Sequence, residues 1–418
     1  MTTATPPSPG PSAHALQPLR GVRVIDLSNV VFGPLASQVL ADYGADVIKV
    51  EPPEGDITRR TGPAAEPGMA AAFLGNNRSK RAIVLDLKQP AAQAALHDLC
   101  ASADVLMHNI RPQKLHRIGI DGTALRRANP RLIYAALVGF GEDGPYAGRP
   151  AYDDIIQGMS GLAMLVHHQF GEVRYLPTIA ADKSSAMTVA QAILAALFGR
   201  ERSGQGCEIE IPMFESTVAF NLVEHMSGRH FDPPLSATGY ARVLARSRRP
   251  YRASDGYLCL MPYTDTNWRD FFAEVGAPHL ADDPRFVGMA QRTRNIEALL
   301  ALVTGFIGQR TVQEWLTVFE RLQIAAARIA SLDELQEDPH LLQTGFYTRI
   351  DDAAMGALRF PGVPVKIDGE RPPIRMAPRL GEHTREILAE AGLPPERIEA
   401  LLKSGAAVQA LRPDAAAS

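Results

Sequence analysis

The chain has 418 residues, 46% of them hydrophobic and 21% charged, enough to bury a sizeable core and to form two domains or one large domain with an inserted piece. A formal net charge of −3 lacks the concentrated basic field of a nucleic-acid binder. Cys100, Cys207 and Cys259 are widely spaced with no CxxC, which fits a reduced, cytoplasmic protein, and no apolar run reaches membrane-spanning length.

Residues 1–18 hold no apolar stretch of signal-peptide length, and their Pro and Ser content predicts a disordered tail. The stretch "VRVIDLSNVVFGPLASQVLADYGADVIKVE" then reads as a βαβ unit. Val22 to Leu27 suggests a strand, Pro34 to Tyr43 carries helix-spaced apolar residues, and Asp46 to Glu51 resumes a strand pattern. Pro34 suits a first helical turn and Gly44 a helix stop.

The alternation continues through "RAIVLDL", "PAAQAALHDLCASA", "DVLMHNI", "DGTALRRANP" and "RLIYAALVGFG", predicting a mostly parallel sheet with helices on both faces. The run Ala186 to Phe198 predicts a buried helix, and "CEIEIPM" alternates as a half-buried or edge strand does. From about Pro250, strand-like "PYRASDGYLCLMPY" and helical "NWRDFFAEVGA", "NIEALLALVTGFIGQ" and "TVQEWLTVFERL" suggest a separate α+β unit. Short strands follow at "YTRIDD" and "LRFPGVPVKI", then a surface helix at "HTREILAEAGL", and the last residues, "RPDAAAS", read as frayed.

The first βα turn, "LSNVVFGP", has no GxGxxG, so the fingerprint of a nicotinamide cofactor is missing. The turn still lies where open sheets bind ligands, and it reads equally as a nucleotide-type site or an ordinary loop. Basic residues collect at Arg59 and Arg60, at Arg78, Lys80 and Arg81, and at Arg111, Lys114 and Arg117. Each group suits phosphate oxygens of one extended ligand, or a solvated surface. His167 and His168 have no partner at metal-ligand spacing and read as loop residues, so no metal site is expected.

Asp153 and Asp154 suit either an acid–base pair or the start of a helix. GxSxG, HExxH and a thiol-nucleophile context are all missing. Asp182 stands just ahead of the apolar run with Ser184 and Ser185 behind it, where an aspartate serves as N-cap. The same position favours an ionised carboxylate and offers amides to developing negative charge, so capping and chemistry both remain open.

In order and spacing, "LRGVRVIDLSNVVFGPLASQVLADYGADVIKVEPPEGDITRR", "NNRSKRAIVLDLK", "DVLMHNIRPQKLHRIGID", "LIYAALVGFGEDGPYAGRPAYDDIIQGMSGL" and "AADKSSAMTVAQAILAALFGRERSGQGCEIEIPMFE" resemble the class III CoA-transferases. That family also includes formyl-CoA and carnitine CoA-transferases and α-methylacyl-CoA racemases. The resemblance implies an α/β fold with a Rossmann-like large domain built from both chain ends, plus a smaller α+β domain, in an interlocked homodimer. The corresponding boundaries are a tail at 1–18, the large domain at 19–230, the small domain at 231–335 and a return segment at 336–418. The active site is expected where the large domain of one subunit meets the small domain of its partner.

By the same resemblance Asp182 is the nucleophile, acylated through anhydride and thioester intermediates as CoA passes from an acyl-CoA to a free carboxylic acid. Coenzyme contacts are implied at Asn29, Val30, Val31, Lys80, Arg81, Asn109, Ile110, Arg117, Tyr152 and Asp153. CoA enters as part of the substrates, with no tightly bound cofactor implied. Pro52 stands where family members carry a basic residue, and the glycine-rich loop of formyl-CoA transferases is not apparent, which argues against a formyl or oxalyl substrate. Racemases place a His where this chain has Tyr152, which favours transfer over two-base racemisation. An acyl-CoA racemase and a non-catalytic acyl-CoA-binding relative are the alternatives. The arginines of "RVLARSRRPYR", Arg242, Arg246, Arg248, Arg249 and Arg252, suit the distal carboxylate of a dicarboxylic acid, a phosphate or a solvated face.

Overall fold

The computed structural model describes residues 15–410, so the expected tail falls outside the described residues as far as residue 14, as does the frayed end at 412–418. A seven-stranded sheet organises one part of the chain. Its strands β1 (Arg23–Asp26), β2 (Asp46–Glu51), β3 (Arg81–Leu85), β4 (Val105–His108), β5 (Ile133–Val138) and β6 (Glu208–Pro212) all pair in parallel, in the order β3, β2, β1, β4, β5, β6. The short strand Ala407–Val408 adds antiparallel to β3 at one edge, and β6 closes the other.

Period-two alternation splits the strands between two cores. Ile25, Ile48, Ile83 and Leu106 meet Leu96 and Leu99 on one face, whereas Val24, Val47, Val105 and Ile133 meet Leu40, Val189 and Ile193 on the other. The helices Phe32–Asp42 and Ala180–Ser203 pack against each other on this second face. Ala180–Ser203 buries a single stripe, Ala186, Val189, Ile193 and Leu197, and leaves Met187 and Phe198 exposed, so it is a half-buried helix rather than the enclosed one expected.

The helix Thr384–Glu390 corrects another expectation, because Ile387 and Leu388 are fully buried in the first core and the helix covers the sheet. β1 lies between β2 and β4, so the chain leaves it in opposite directions on its two sides. This is the switch point at which the loops after two adjacent strands separate and open a crevice.

Compact packing divides the chain into two units, one comprising residues up to Ile156, Ile179–Thr217 and from His340 onward, the other Gln157–Thr178 and Val218–Pro339. The second unit thus takes up residues 157–178, which the sequence reading grouped with the large domain. Side chains hold that segment in place: Gln157 donates to the Thr178 carbonyl, and Asn221 donates to that of Ser160. Within it His167 and His168 sit in the helix Leu162–Phe170, which runs on to a left-handed Gly171, rather than in a loop.

The second unit has its own core, in which Phe271, Phe272, Leu299 and Val303 surround Trp315, stacked on Phe319 at 5.1 Å. The Trp315 indole N–H, buried there, donates to the Ile307 carbonyl. A three-stranded antiparallel sheet, Tyr251–Arg252, Tyr257–Met261 and Ala325–Arg328, completes it.

Candidate active site

The crevice at the switch point is a cleft of about 370 Å³ within the first unit. The loop after β1 contributes Asn29 and Val30, and the loop after β4 contributes Asn109 and Ile110. Asp182 and Met213 form another part of the wall, and the loop after β5 adds Arg149 and Tyr152. The two asparagines lock their loops together: the Asn29 amide donates to Oδ1 of Asn109, and Nδ2 of Asn109 donates to the Asn29 carbonyl. Below them the His108 ring accepts the Ile110 N–H at Nδ1 and meets the Tyr134 hydroxyl at 2.7 Å through Nε2. Burial holds the pKa of His108 down to about 4, so it supports the loop as a neutral ring.

Asp182 is the third residue of the helix Ala180–Ser203, whose N-cap is Ile179. It therefore does not cap the helix with its side chain, as an N-cap aspartate would. Its backbone amide is one of the N–H groups a helix start leaves unpaired, and it donates to Oδ1 of Asp153 at 3.1 Å. Asp153 is buried behind the cleft wall, and Asp182 is only 9% exposed. Burial, reinforced by the Asp153 charge, raises the Asp182 pKa from 3.8 to about 7. That disfavours the ionised form by roughly 4 kcal/mol and leaves a carboxylate that is half ionised near neutrality.

Five of the residues expected at the coenzyme, Asn29, Val30, Asn109, Ile110 and Tyr152, thus line one cleft with Asp182. Five do not. Val31 ends the turn as the N-cap of Phe32–Asp42, Arg117 sits in the turn His116–Ile118 outside the lining, and Asp153 lies behind it.

Lys80 and Arg81 also lie outside that lining. The Lys80 ammonium is fully buried and donates to Asn77 Oδ1, the Pro34 carbonyl and Asp26 Oδ2, while Arg81 is bridged to Asp46, Glu386 and Glu390. Both serve the fold because each meets carboxylates or carbonyls that reach it only through tertiary packing. Arg59, paired with Glu51 and lying 3.7 Å over the Phe73 ring, and Arg78, paired with Asp42, are used in the same way.

The cations that do line the cleft are Arg111, Lys114 and Arg149. Arg149 was missed from the sequence, where a single arginine in "GPYAGRP" carries no pattern. The only local hint is the neighbouring Tyr146, whose ring it covers at 4.7 Å. Gly148 sits close by with φ +67, a left-handed conformation that favours glycine. Among the described residues no three His, Cys, Asp or Glu side chains gather as a metal site requires, and no helix is long and apolar enough to cross a membrane.

Comparison with known proteins adds an independent line. The family model described as CoA-transferase family III matches residues 19–384. An acetyl-CoA:oxalate CoA-transferase from Acetobacter aceti is 35% identical over 409 residues, covering 94% of this chain and 99% of that protein. A succinate–glutarate CoA-transferase from Agrobacterium fabrum is also 35% identical, covering 89% and 95%. Among solved structures, a CAIB/BAIF family protein from Brucella suis superposes with a TM-score of 0.75 at 31% identity, covering 90% of this chain and 99% of that one.

Proposed function

The chain belongs to CoA-transferase family III, and from that premise we propose that it transfers CoA from an acyl-CoA to a free carboxylic acid by way of covalent intermediates on Asp182. The observation that carries this reading is a buried carboxylate, pKa about 7, facing a cleft lined by Asn29, Val30, Asn109 and Ile110.

In the first step an Asp182 oxygen attacks the thioester carbonyl, the C–S bond breaks, and CoA leaves as thiolate, giving a mixed anhydride. The thiolate then attacks the aspartyl carbonyl and expels the donor acid, which leaves an aspartyl-CoA thioester. The acceptor carboxylate attacks that carbonyl and releases the thiolate again, forming a second anhydride. Attack of thiolate on the acceptor's acyl carbon restores the Asp182 carboxylate and yields the new acyl-CoA. Every intermediate is hydrolysable, so the enclosure that raises the Asp182 pKa also serves to keep water away. Arg111, Lys114 and Arg149 supply positive charge for the coenzyme phosphates, with Pro52 taking no part.

The relatives named for oxalate and for succinate and glutarate support a dicarboxylic acid as one substrate, and the oxalate relative returns a two-carbon diacid to the candidates that the missing glycine-rich loop argued against. One of Arg242, Arg246, Arg248, Arg249 and Arg252 would take the distal carboxylate. On the same reading the protein works as an interlocked homodimer. The large apolar side chains left exposed in the single chain, Phe220, Val223 and Phe231 among them, support a covering second copy.

The reading is tested by incubating the protein with a panel of acyl-CoAs, trapping with hydroxylamine and locating the adduct by mass spectrometry. Modification at residue 182 supports it, and a folded Asp182→Ala protein that still transfers CoA overturns it. Deuterium exchange at the acyl α-carbon without need of an acceptor acid would instead indicate a racemase.

A further inference from the structure

Ser28, Asn29 and Val30 make the turn between β1 and the helix Phe32–Asp42, and side chains hold all six of their main-chain polar groups. The Ser28 N–H donates to Oδ1 of Asp26, and its carbonyl accepts from the Lys49 ammonium at 3.0 Å. Both groups of Asn29 go to Asn109. The Val30 N–H points to Oδ1 of Asp56 at 3.4 Å, and its carbonyl accepts from Nδ2 of Asn76 at 2.9 Å.

Val30 adopts φ +69, a conformation that a β-branched residue rarely takes and that persists only where its surroundings impose it. The surroundings here are unusual. Lys49 and Asp26 are fully buried and Asp56 nearly so, and the Lys49 ammonium also reaches Oδ2 of Asp56 at 2.9 Å. One buried cation thus joins the Ser28 carbonyl to the carboxylate facing the Val30 amide.

A buried ion pair of this kind is a poor device for stability alone, because apolar replacements of similar volume are often neutral or stabilising. We propose that Lys49 is a positioning residue that, through Ser28 and Asp56, sets the shape in which Asn29 and Val30 meet the coenzyme. The inference rests on the reading of that turn as a coenzyme contact. Burial opposes the Lys49 charge, but Asp26, Asp56 and Glu51 more than offset it and hold its pKa above the ordinary lysine value, so the cation persists at working pH.

The test uses the full chain carrying Lys49→Met. Calorimetry with free CoA, steady-state kinetics in both substrates and hydrogen exchange are measured beside the parent. Dissociation of CoA and the KM for acyl-CoA should each rise about tenfold, with kcat and the acceptor KM within about twofold. Faster amide exchange should be confined to the segment 28–31. Should Lys49→Met fail to fold, Asp56→Asn, which keeps shape and an acceptor for Val30, is expected to give the same pattern. A folded variant that binds CoA like the parent, or whose acceptor KM rises as much as its acyl-CoA KM, overturns the proposal. A parent that binds CoA but transfers none overturns the transferase reading alone, since the calorimetric comparison still decides the role of Lys49. A parent that binds no CoA overturns both.

Discussion

The amide of Asp182 donates to the carboxylate of Asp153 at 3.1 Å, so two acidic residues share one helix start while only Asp182 reaches the cleft. Asp153 does what an N-cap side chain would do, from another helix, and its charge adds to burial in making Asp182 a weak acid. A carboxylate that must attack a thioester gains basicity from such a site, and with it nucleophilic strength.

The reaction should therefore depend on a deprotonation near neutrality. On the proposed mechanism only ionised Asp182 attacks, so kcat/KM for the acyl-CoA should climb with pH through about 7 and level off above it. A pH–rate profile with its acid limb near pH 4 would contradict this.

Stability should move the opposite way. The folded-state pKa of about 7 lies above the ordinary 3.8, so this group's contribution is full below pH 4 and is lost as pH rises through 7. Asp182→Asn should match the parent in denaturant titrations at pH 4 and exceed it at pH 8, by up to roughly 4 kcal/mol. The same variant should lose transfer by on the order of 10³-fold or more, since an amide cannot replace the nucleophile.

Asp153→Asn separates the two causes of the raised pKa. The amide oxygen still accepts the Asp182 N–H, so the helix start survives, but the like charge is gone. The acid limb of the pH–rate profile should shift below 7 and stay above 3.8, because burial, the larger cause, remains.

Cations of the cleft and of the fold should respond differently. Arg149→Ala should raise the acyl-CoA KM about tenfold or more, the value of one charge-assisted contact, with little change in melting temperature. Arg81→Ala should leave that KM near the parent's and lower the melting temperature, because it removes bridges to Asp46, Glu386 and Glu390. Equal KM effects would show that the cleft has been assigned the wrong cations.

Ending the chain after Ala330 should prevent the first unit from folding. Ile387, Leu388, Ile398 and Leu401 cover one face of the sheet, and each side chain is worth about 1.5–3 kcal/mol of burial. The strand Ala407–Val408 would also no longer pair with β3. Soluble truncated protein that binds CoA would refute this.

The strands β1 to β6, the helix ahead of Gly44 and the placing of "CEIEIPM" at a sheet edge were legible in the sequence, because periods of 2 and 3.6 and the positions of Gly and Pro are local properties. Motif order also pointed to the family. Which charges face the cleft was not legible. Arg59, Arg78, Lys80 and Arg81 look no different in sequence from Arg111 and Lys114, yet their partners include Asp42, Glu386 and the Pro378 carbonyl, brought to them only by packing. The left-handed Val30, the neutral His108 and the weak acidity of Asp182 were likewise decided in three dimensions. Backbone pattern is written by neighbours a few residues away, whereas burial and charge pairing depend on groups up to hundreds of residues apart.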